Sequence, residues 1–261
     1  MPDFTGDDEN LKFRKIALRN RMITFRQSLT EPARTSAAVS IQEHLCSLLR
    51  PLNPATDSSP GGRPAFPLPT TQAPAGVPPD HTAIHPSLET PTSPFVGAPA
   101  IGSGDPITVA AYVPVGREPG GPDLPEALAS ALPPGSRLLL PVLLDDGDLD
   151  WALYEGPTSL RPGPRGLREP AGHRLGVGAI READLVLVPA LAVDHSGMRL
   201  GRGGGSYDRA LARAGSAFTV ALLHDGEVLD SVPAAEHDRP VRAVITPGGG
   251  VALSADSDWT K

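Results

Sequence analysis

Four closely spaced glycines, flanked by arginines and an aspartate, form the segment of this sequence best suited to chemistry. The segment RLGRGGGSYDR, residues 199 to 209, precedes a stretch of helical composition that ends at Gly215. The backbone N–H groups of such a loop can surround an anion, and the dipole of the following helix favours negative charge there. Arg199 and Arg202 could neutralise phosphate oxygens, and Asp208 could hold a magnesium ion that bridges them. Since a flexible turn needs none of these charges, the segment predicts a phosphate-binding loop.

Two familiar phosphate-binding loops fit this segment poorly. It lacks the Gly-Lys-Ser/Thr ending of a P-loop. The spacing of Gly201 and Gly203, with Asp225 about twenty residues further on, imitates a dinucleotide fingerprint, but the glycines do not follow their strand directly. A dinucleotide-binding or sugar-phosphate isomerase-like enzyme therefore stays open as an alternative to an ATP-using enzyme.

Basic residues near the N-terminus and one distant aspartate could complete a nucleotide site. Lys15 and Arg19 lie on one face of a predicted helix and could reach the terminal phosphates of a nucleotide. The alternative for these two residues is a solvated basic face. Asp238 precedes a predicted strand and could bind a hard cation, although alone it would be an ordinary turn residue.

The elements that must position these residues follow from hydrophobic periodicity. Apolar residues at helical spacing between positions 11 and 50 predict two helices, the second beginning near Thr30. Further on, apolar β-rich runs alternate with helical or loop segments, which predicts a mostly parallel central sheet flanked by helices, an α/β fold. The runs are ITVAAYV (107 to 113), RLLLPVL (137 to 143), ADLVLVPAL (183 to 191), TVALLHD (219 to 225) and RAVIT (242 to 246).

The continuously apolar LVLVP predicts the central strand of this sheet. In open α/β sheets, ligands bind beyond the carboxyl ends of such strands, which is where the glycine-rich loop follows. Ser206 is the expected N-cap of the helix after the loop.

One domain with an insertion is the predicted organisation. Residues 1 to 50 form a helical pair that belongs to the domain, and residues 107 to 261 form the α/β core with the nucleotide and substrate site. Between them, residues 51 to 106 carry prolines every few positions and few large apolar side chains. That composition predicts a disordered insertion.

Composition excludes several function classes. The formal net charge of −7 argues against a general nucleic-acid binder, and the single cysteine, Cys46, rules out a disulfide framework. The acidic N-terminus lacks the features of a signal peptide, and no apolar run reaches the length of a membrane span. We expect a cytoplasmic monomer that binds small molecules, with neither a nucleic-acid nor a membrane partner.

Three blocks together resemble a known enzyme family. KIALR at 15 to 19, PALAVDHSGMRLGRGGGSYDRAL at 189 to 211 and EHDRPVRAVIT at 236 to 246 match the 5-formyltetrahydrofolate cyclo-ligases, also called methenyltetrahydrofolate synthetases, in order and spacing. The resemblance implies a fold related to sugar-phosphate isomerases and a substrate that is a reduced folate, with or without a polyglutamate tail. It also implies that ATP and Mg²⁺ convert 5-formyltetrahydrofolate into 5,10-methenyltetrahydrofolate, with release of ADP and phosphate.

The resemblance implies roles for individual residues as well. The residues implied to be catalytic are Lys15, Arg199 and Asp208, and the implied magnesium ligands are Asp208 and Asp238. The implied ATP contacts are Lys15, Arg19, Arg199, Gly201, Arg202, Gly203, Gly204, Gly205, Ser206 and Tyr207. The implied substrate contacts are Glu118, Trp151, Glu169, Arg202 and Tyr207.

One position departs from the family pattern. Ser206 stands where a tyrosine is usual, which removes an aromatic surface that could pack on the substrate. This departure bears on the folate more than on the nucleotide. Separately, a folate- or nucleotide-binding protein without catalysis remains a further alternative.

Overall fold

The computed structural model describes residues 4 to 49, 104 to 235 and 238 to 253. Nearly all of the predicted insertion, up to residue 103, lies outside these described residues. The N-terminal part consists of two helices, α1 (Phe4–Ser28) and α2 (Glu31–Leu49), which confirms the predicted pair. The Thr30 hydroxyl accepts a hydrogen bond from the backbone N–H of Ala33 at 3.4 Å, as expected of an N-cap.

Strands, two short α-helices and three short 3-10 helices are the regular elements in the rest of the described chain. The first part contains β1 (Thr108–Ala110), α3 (Leu124–Ala131), β2 (Arg137–Leu143), β3 (Leu149–Leu153), β4 (Leu160–Pro162) and β5 (Arg168–Pro170). The second part contains β6 (Leu185–Pro189), β7 (Ala192–Asp194), β8 (Arg199–Leu200), α4 (Ser206–Arg213), β9 (Phe218–Leu222), β10 (Val228–Leu229), β11 (Ala243–Thr246) and β12 (Gly249–Ala252).

A seven-stranded sheet runs in the order β12, β11, β9, β6, β1, β2, β3. The strands from β11 to β2 pair in parallel, whereas β12 and β3 close the two edges in antiparallel orientation. The run LVLVP is β6 and holds the middle position, which confirms the prediction that it is the central strand. A separate antiparallel ribbon joins β4 and β5.

Helices cover both faces of this sheet, as the fold prediction requires. Successive residues of a strand point to opposite faces. In β6, Leu187 packs in a core cluster with residues of α2 and α3, whereas Val186 and Val188 pack in a second cluster with residues of α4. The α/β class is therefore confirmed by side chains as well as by strand order.

Helix α1 packs away from these two layers, on a small sheet at the carboxyl end of β6. This sheet has the strand order β10, β7, β8. Met22 of α1 is buried against it in a cluster with Leu191, Leu200 and Val232. The arrangement carries the basic residues of α1 to the edge of the sheet where ligands bind in this class of fold.

Gly197 lies in the turn that joins β7 to β8, where two backbone segments approach closely. Its φ is +84°, and a Cβ atom there would lie 2.3 Å from the carbonyl oxygen of Val241. The backbone N–H of Val241 donates to the Gly197 carbonyl at 2.8 Å, so the two segments are held together. Glycine is therefore required at position 197, because the backbone there is left-handed and because a side chain would clash with the Val241 carbonyl.

We predict that Gly197→Ala lowers the free energy of unfolding by at least about 3 kcal/mol, because backbone strain and a backbone clash add together. Gly176→Ala is the matched control, since Gly176 has a φ of +86° and a Cβ atom there would meet no atom within 4 Å. The control should lose only about 1 kcal/mol, the cost of the left-handed conformation. Equal losses in denaturant unfolding of the two variants would contradict the contact at Gly197.

Candidate active site

Two cavities adjoin at the carboxyl ends of the central strands. The larger has a volume of about 440 Å³ and the smaller about 30 Å³. Both are lined by Arg199, Gly201, Gly203 and Asp208, so the glycine-rich loop is their common wall. Groups bound in the two cavities would therefore both contact this loop.

Most of the residues singled out in the sequence line one cavity or the other. The larger cavity adds Glu118, Glu169, Arg202, Gly204, Gly205, Ser206 and Tyr207. The smaller cavity adds Lys15, Arg19 and Asp238. The structure thus brings together residues that are more than two hundred positions apart in the chain, although their individual roles stay predictions.

The start of α4 differs from the prediction. Gly205, with a φ of +68°, occupies the N-cap position, and Ser206 is the first helical residue, so the predicted Ser206 cap is wrong. The Ser206 hydroxyl donates instead to the carbonyl oxygen of Gly147 at 2.5 Å. No side chain caps the first N–H groups of α4, and they stay available to an anion.

Charged side chains of α1 contact the glycine-rich loop and Asp238 around the smaller cavity. The Arg19 guanidinium donates from Nε to the Gly201 carbonyl at 3.0 Å, and the Lys15 ammonium donates to Asp238. On the loop side, Nη2 of Arg199 donates to Oδ1 of Asp208 at 2.5 Å. Cations and carboxylates are therefore already paired where a phosphate group would bind.

The two predicted magnesium ligands share this small cavity. Among residues 4 to 49, 104 to 235 and 238 to 253, no group of three or more His, Cys, Asp or Glu side chains could hold a metal ion. Magnesium nevertheless binds commonly through one or two carboxylates, with water and substrate phosphates as its other ligands. Asp208 and Asp238 fit a magnesium ion that arrives with a nucleotide, provided that each exchanges its present cationic partner.

Two carboxylates are held in place on the wall of the larger cavity. Glu118 accepts hydrogen bonds from the backbone N–H of Val115 at 2.9 Å and from Nε of Arg202 at 3.0 Å. Glu169 accepts one from the backbone N–H of Leu143 at 2.9 Å. Each carboxylate keeps acceptor capacity for a ligand with N–H donors.

Trp151 does not contribute to the cavity, contrary to the predicted substrate contact. Its side chain is fully buried in the core cluster that contains Leu139 and Ile180, and it does not line the larger cavity. The prediction of an aromatic wall at this position is therefore wrong. The residue type at position 151 agrees with the family, but it does not reveal on which face of the edge strand β3 the tryptophan ring packs.

The dinucleotide alternative loses its main support. Asp225 is exposed and lines neither cavity, so it cannot act as a ribose-binding acid beside the loop. The loop also follows β8, a two-residue strand of the small sheet, rather than a strand of the central sheet.

A buried ion pair that sequence reasoning missed anchors α1 beside the larger cavity. Arg26 donates to both carboxylate oxygens of Glu227, at 2.7 and 2.8 Å, and to the carbonyl oxygen of Ala190 at 2.6 Å. The Arg26 and Glu227 side chains are only 4% and 0% exposed. The one sequence signal was that Arg26 follows Arg19 by seven residues, which places both on the same helix face.

These features define an α/β protein in which a glycine-rich loop, leading into helix α4, forms the common wall of two adjoining cavities. The model of the 5-formyltetrahydrofolate cyclo-ligase family matches residues 105 to 247. The chain belongs to the 5-formyltetrahydrofolate cyclo-ligase family, and it is an ATP-dependent ligase. Among the described residues, no helix is long and apolar enough to cross a membrane.

Individual relatives agree with this assignment. A 5-formyltetrahydrofolate cyclo-ligase of Mycolicibacterium smegmatis is 47% identical over 150 residues, which cover 55% of this chain and 75% of the relative. The Escherichia coli K12 enzyme of the same name is 34% identical over 117 residues, 43% of this chain and 64% of its own.

Solved structures support the fold alone. The 5,10-methenyltetrahydrofolate synthetase of Aquifex aeolicus aligns with a TM-score of 0.61 at 21% identity, over 95% of this chain and 96% of its own. The synthetase of Mycoplasma pneumoniae aligns with a TM-score of 0.55 at 16% identity, over 89% and 98% of the two chains.

We predict that Glu227→Gln lowers the free energy of unfolding by about 3 to 5 kcal/mol, because it leaves the Arg26 charge buried without a counterion. The matched control is Glu182→Gln, whose partner is Arg137 in a pair with side chains 61% and 45% exposed. That loss should stay below about 1 kcal/mol, since solvent screens an exposed pair. Chemical denaturation of both variants checks this, and similar losses would show that the buried pair is not an anchor.

Proposed function

We propose that this enzyme converts 5-formyltetrahydrofolate and ATP into 5,10-methenyltetrahydrofolate, ADP and phosphate, with Mg²⁺ as cofactor. The observation that carries the proposal is the glycine-rich loop shared by two cavities. At about 440 Å³ the larger cavity lies within the usual range for small-molecule sites and would hold the folate. The smaller one is lined by basic residues and would take the nucleotide phosphates. Family membership and the names of the relatives support the same reaction.

The reaction needs activation of a poor leaving group. In the proposed first step, the formyl oxygen attacks the γ-phosphorus of ATP, the bond to the bridging oxygen breaks, and ADP leaves. N10 of the same folate then attacks the formyl carbon, the carbon–oxygen bond breaks, and phosphate and the N10 proton are released. Phosphorylation makes the oxygen a good leaving group and the carbon electrophilic, so the enzyme needs mainly positioning and charge neutralisation.

The residues around the loop are suited to that task. Arg199 lines both cavities, and the start of α4 borders the larger one, so the Arg199 guanidinium and the first N–H groups of α4 would flank the transferred phosphoryl group. Lys15 and Arg19 would neutralise phosphate oxygens from the α1 side. A magnesium ion on Asp208 and Asp238 would supply further neutralisation when bound.

The small volume of the nucleotide side follows from its internal ion pairs. Lys15 pairs with Asp238 and Arg199 pairs with Asp208. We propose that a magnesium-nucleotide complex replaces both pairs, with the metal taking the carboxylates and the phosphates taking the cations. Each charge then keeps an opposite partner throughout, which limits the cost of opening the site.

The folate would lie along the larger cavity. Glu118, Glu169 and Tyr207 would contact its ring system, and Arg202, which now pairs with Glu118 and has a side chain 58% exposed, would exchange that partner to reach a ligand. Ser206 offers no aromatic surface, but its hydroxyl fastens the loop to the turn between β2 and β3. The expected cytoplasmic location, the monomeric state and the lack of nucleic-acid partners stay predictions.

Incubation of the purified protein with 5-formyltetrahydrofolate, ATP and Mg²⁺ should produce the near-ultraviolet absorbance of the methenyl product, with one ADP formed per product. Absence of product under these conditions would refute the proposed reaction. Tight folate binding without ATP consumption would then indicate a non-catalytic binding protein, whereas binding of NADH but not ATP would favour the dinucleotide alternative.

We predict that Asp208→Asn lowers kcat by about 100-fold through loss of metal and phosphate positioning. Asp230→Asn is the control, because Asp230 is fully exposed and lines neither cavity. Steady-state rates should be measured across a range of Mg²⁺ concentrations, and higher Mg²⁺ should restore part of the activity. An Asp208→Asn enzyme with full activity at every Mg²⁺ concentration would show that Asp208 is not a metal ligand.

A further inference from the structure

Two buried tyrosine hydroxyls on the wall of the larger cavity have no hydrogen-bond partner. Within the described parts of the chain, three buried side-chain polar atoms lack a partner: Tyr112 Oη, Tyr207 Oη and Trp151 Nε1. Tyr112 and Tyr207 line the larger cavity, and Trp151 does not. Buried polar groups in folded proteins are nearly always hydrogen-bonded, so an unpartnered group beside a cavity indicates a missing ligand atom.

Neither the family resemblance nor the proposed function assigns a role to Tyr112. This residue follows β1 at the carboxyl end of the sheet, and its side chain is 4% exposed in the core beneath α2 and α3. Its ring is therefore fixed by packing, so the hydroxyl cannot turn away to find a protein partner. A rigid donor of this kind costs little entropy when it binds a ligand.

The charge environment keeps this phenol protonated. Burial is the main cause that raises the pKa of Tyr112, and the nearby Glu118 carboxylate raises it further, whereas the Arg26 guanidinium lowers it. Tyr207 and Glu227 also act to raise it. Burial likewise raises the pKa of Tyr207. Both hydroxyls therefore retain a proton that they can donate.

We propose that Tyr112 is a substrate-recognition residue that donates a hydrogen bond to a carbonyl oxygen or ring nitrogen of a flat heteroaromatic ring in the larger cavity. The proposal rests on the proposed function, in which that ring is the pterin of the folate. Glu118 can only accept hydrogen bonds when ionised, so it selects the donor edge of such a ring. Tyr112 supplies the complementary donor, and the two together select a ring with donors and acceptors in fixed positions.

Removal of the hydroxyl alone should change binding and stability in opposite directions. In Tyr112→Phe the ring and its packing stay, while an unpartnered buried hydroxyl is lost. Because an unsatisfied buried group destabilises the free protein, the variant should be as stable as the parent or more stable. Substrate binding, in contrast, should weaken because the ligand acceptor loses its donor.

The control is Tyr154→Phe, which deletes the same atom where it has a partner. The Tyr154 hydroxyl donates to Oε2 of Glu126 at 2.9 Å, and Tyr154 does not line the larger cavity. Loss of the Tyr154 hydroxyl should lower the thermal midpoint slightly and leave the kinetics unchanged. Because both variants delete one hydroxyl, their comparison separates an effect on substrate recognition from an effect on stability.

The experiment measures kcat, KM for 5-formyltetrahydrofolate, KM for ATP and the thermal midpoint of both variants and the wild type. Tyr112→Phe should raise the folate KM about three- to ten-fold, with kcat and the ATP KM within about two-fold. Its thermal midpoint should be unchanged or higher. An unchanged folate KM, or a fall in thermal midpoint without a change in KM as in Tyr154→Phe, would overturn the proposal.

Failure of the proposed function can be told apart from failure of the inference about Tyr112. If the wild type forms no methenyl product, the proposed reaction is refuted whatever the variants do. The inference about Tyr112 is then decided by calorimetric titration of 5-formyltetrahydrofolate into the wild type and Tyr112→Phe. Weaker binding by the variant supports it, whereas equal binding, or no binding by the wild type, overturns it.

Discussion

The buried ion pair between Arg26 and Glu227 determines where the N-terminal helix α1 lies. Burial of two charges costs several kcal/mol per ion, so the arrangement is stable only when both partners and the Ala190 carbonyl are in place. Lys15 and Arg19 are on the same helix, and the pair therefore sets their position against the glycine-rich loop. The position of the basic side chains at the smaller cavity thus depends on Glu227, which lies 201 positions further along the chain than Arg26.

Two further ion pairs line the smaller cavity, and their proposed role differs from that of the Arg26 pair. The pairs of Lys15 with Asp238 and Arg199 with Asp208 each keep a partly exposed carboxylate, 13% for Asp238 and 30% for Asp208, although the Arg199 side chain is only 3% exposed. In the Arg26 pair, neither side chain is more than 4% exposed. A part-buried pair can exchange its partner for a ligand at lower cost than a fully buried one. We therefore distinguish the buried Arg26 and Glu227 pair, which positions α1, from two pairs at the smaller cavity that a ligand would replace in the proposed function. In the larger cavity, the unpartnered hydroxyls of Tyr112 and Tyr207 would gain a partner from the proposed ligand.

Local patterns predicted much of the fold and of the loop, but not the contacts between distant segments. LVLVP was predicted as the central strand because both of its faces are apolar, and α2 was predicted because Thr30 is a local capping signal. Glu227 was missed because only the tertiary structure places it against Arg26, and Tyr112 was missed because only the tertiary structure places it on the wall of the larger cavity. Trp151 was assigned wrongly because residue type does not reveal burial. At α4, the left-handed Gly205 is the N-cap, so the helix begins at Ser206, one residue earlier than a serine cap at that position would place it.

The proposed nucleotide site is tested most directly by a crystal structure of the protein with Mg²⁺ and a non-hydrolysable ATP analogue. We expect phosphates against the backbone of residues 201 to 205 and the side chains of Lys15 and Arg19. We also expect a metal ion bound to Asp208 and Asp238, with the Arg26 and Glu227 pair unchanged. A nucleotide bound elsewhere, or phosphates at the loop with Lys15 still paired to Asp238 and no metal on either aspartate, would contradict this site.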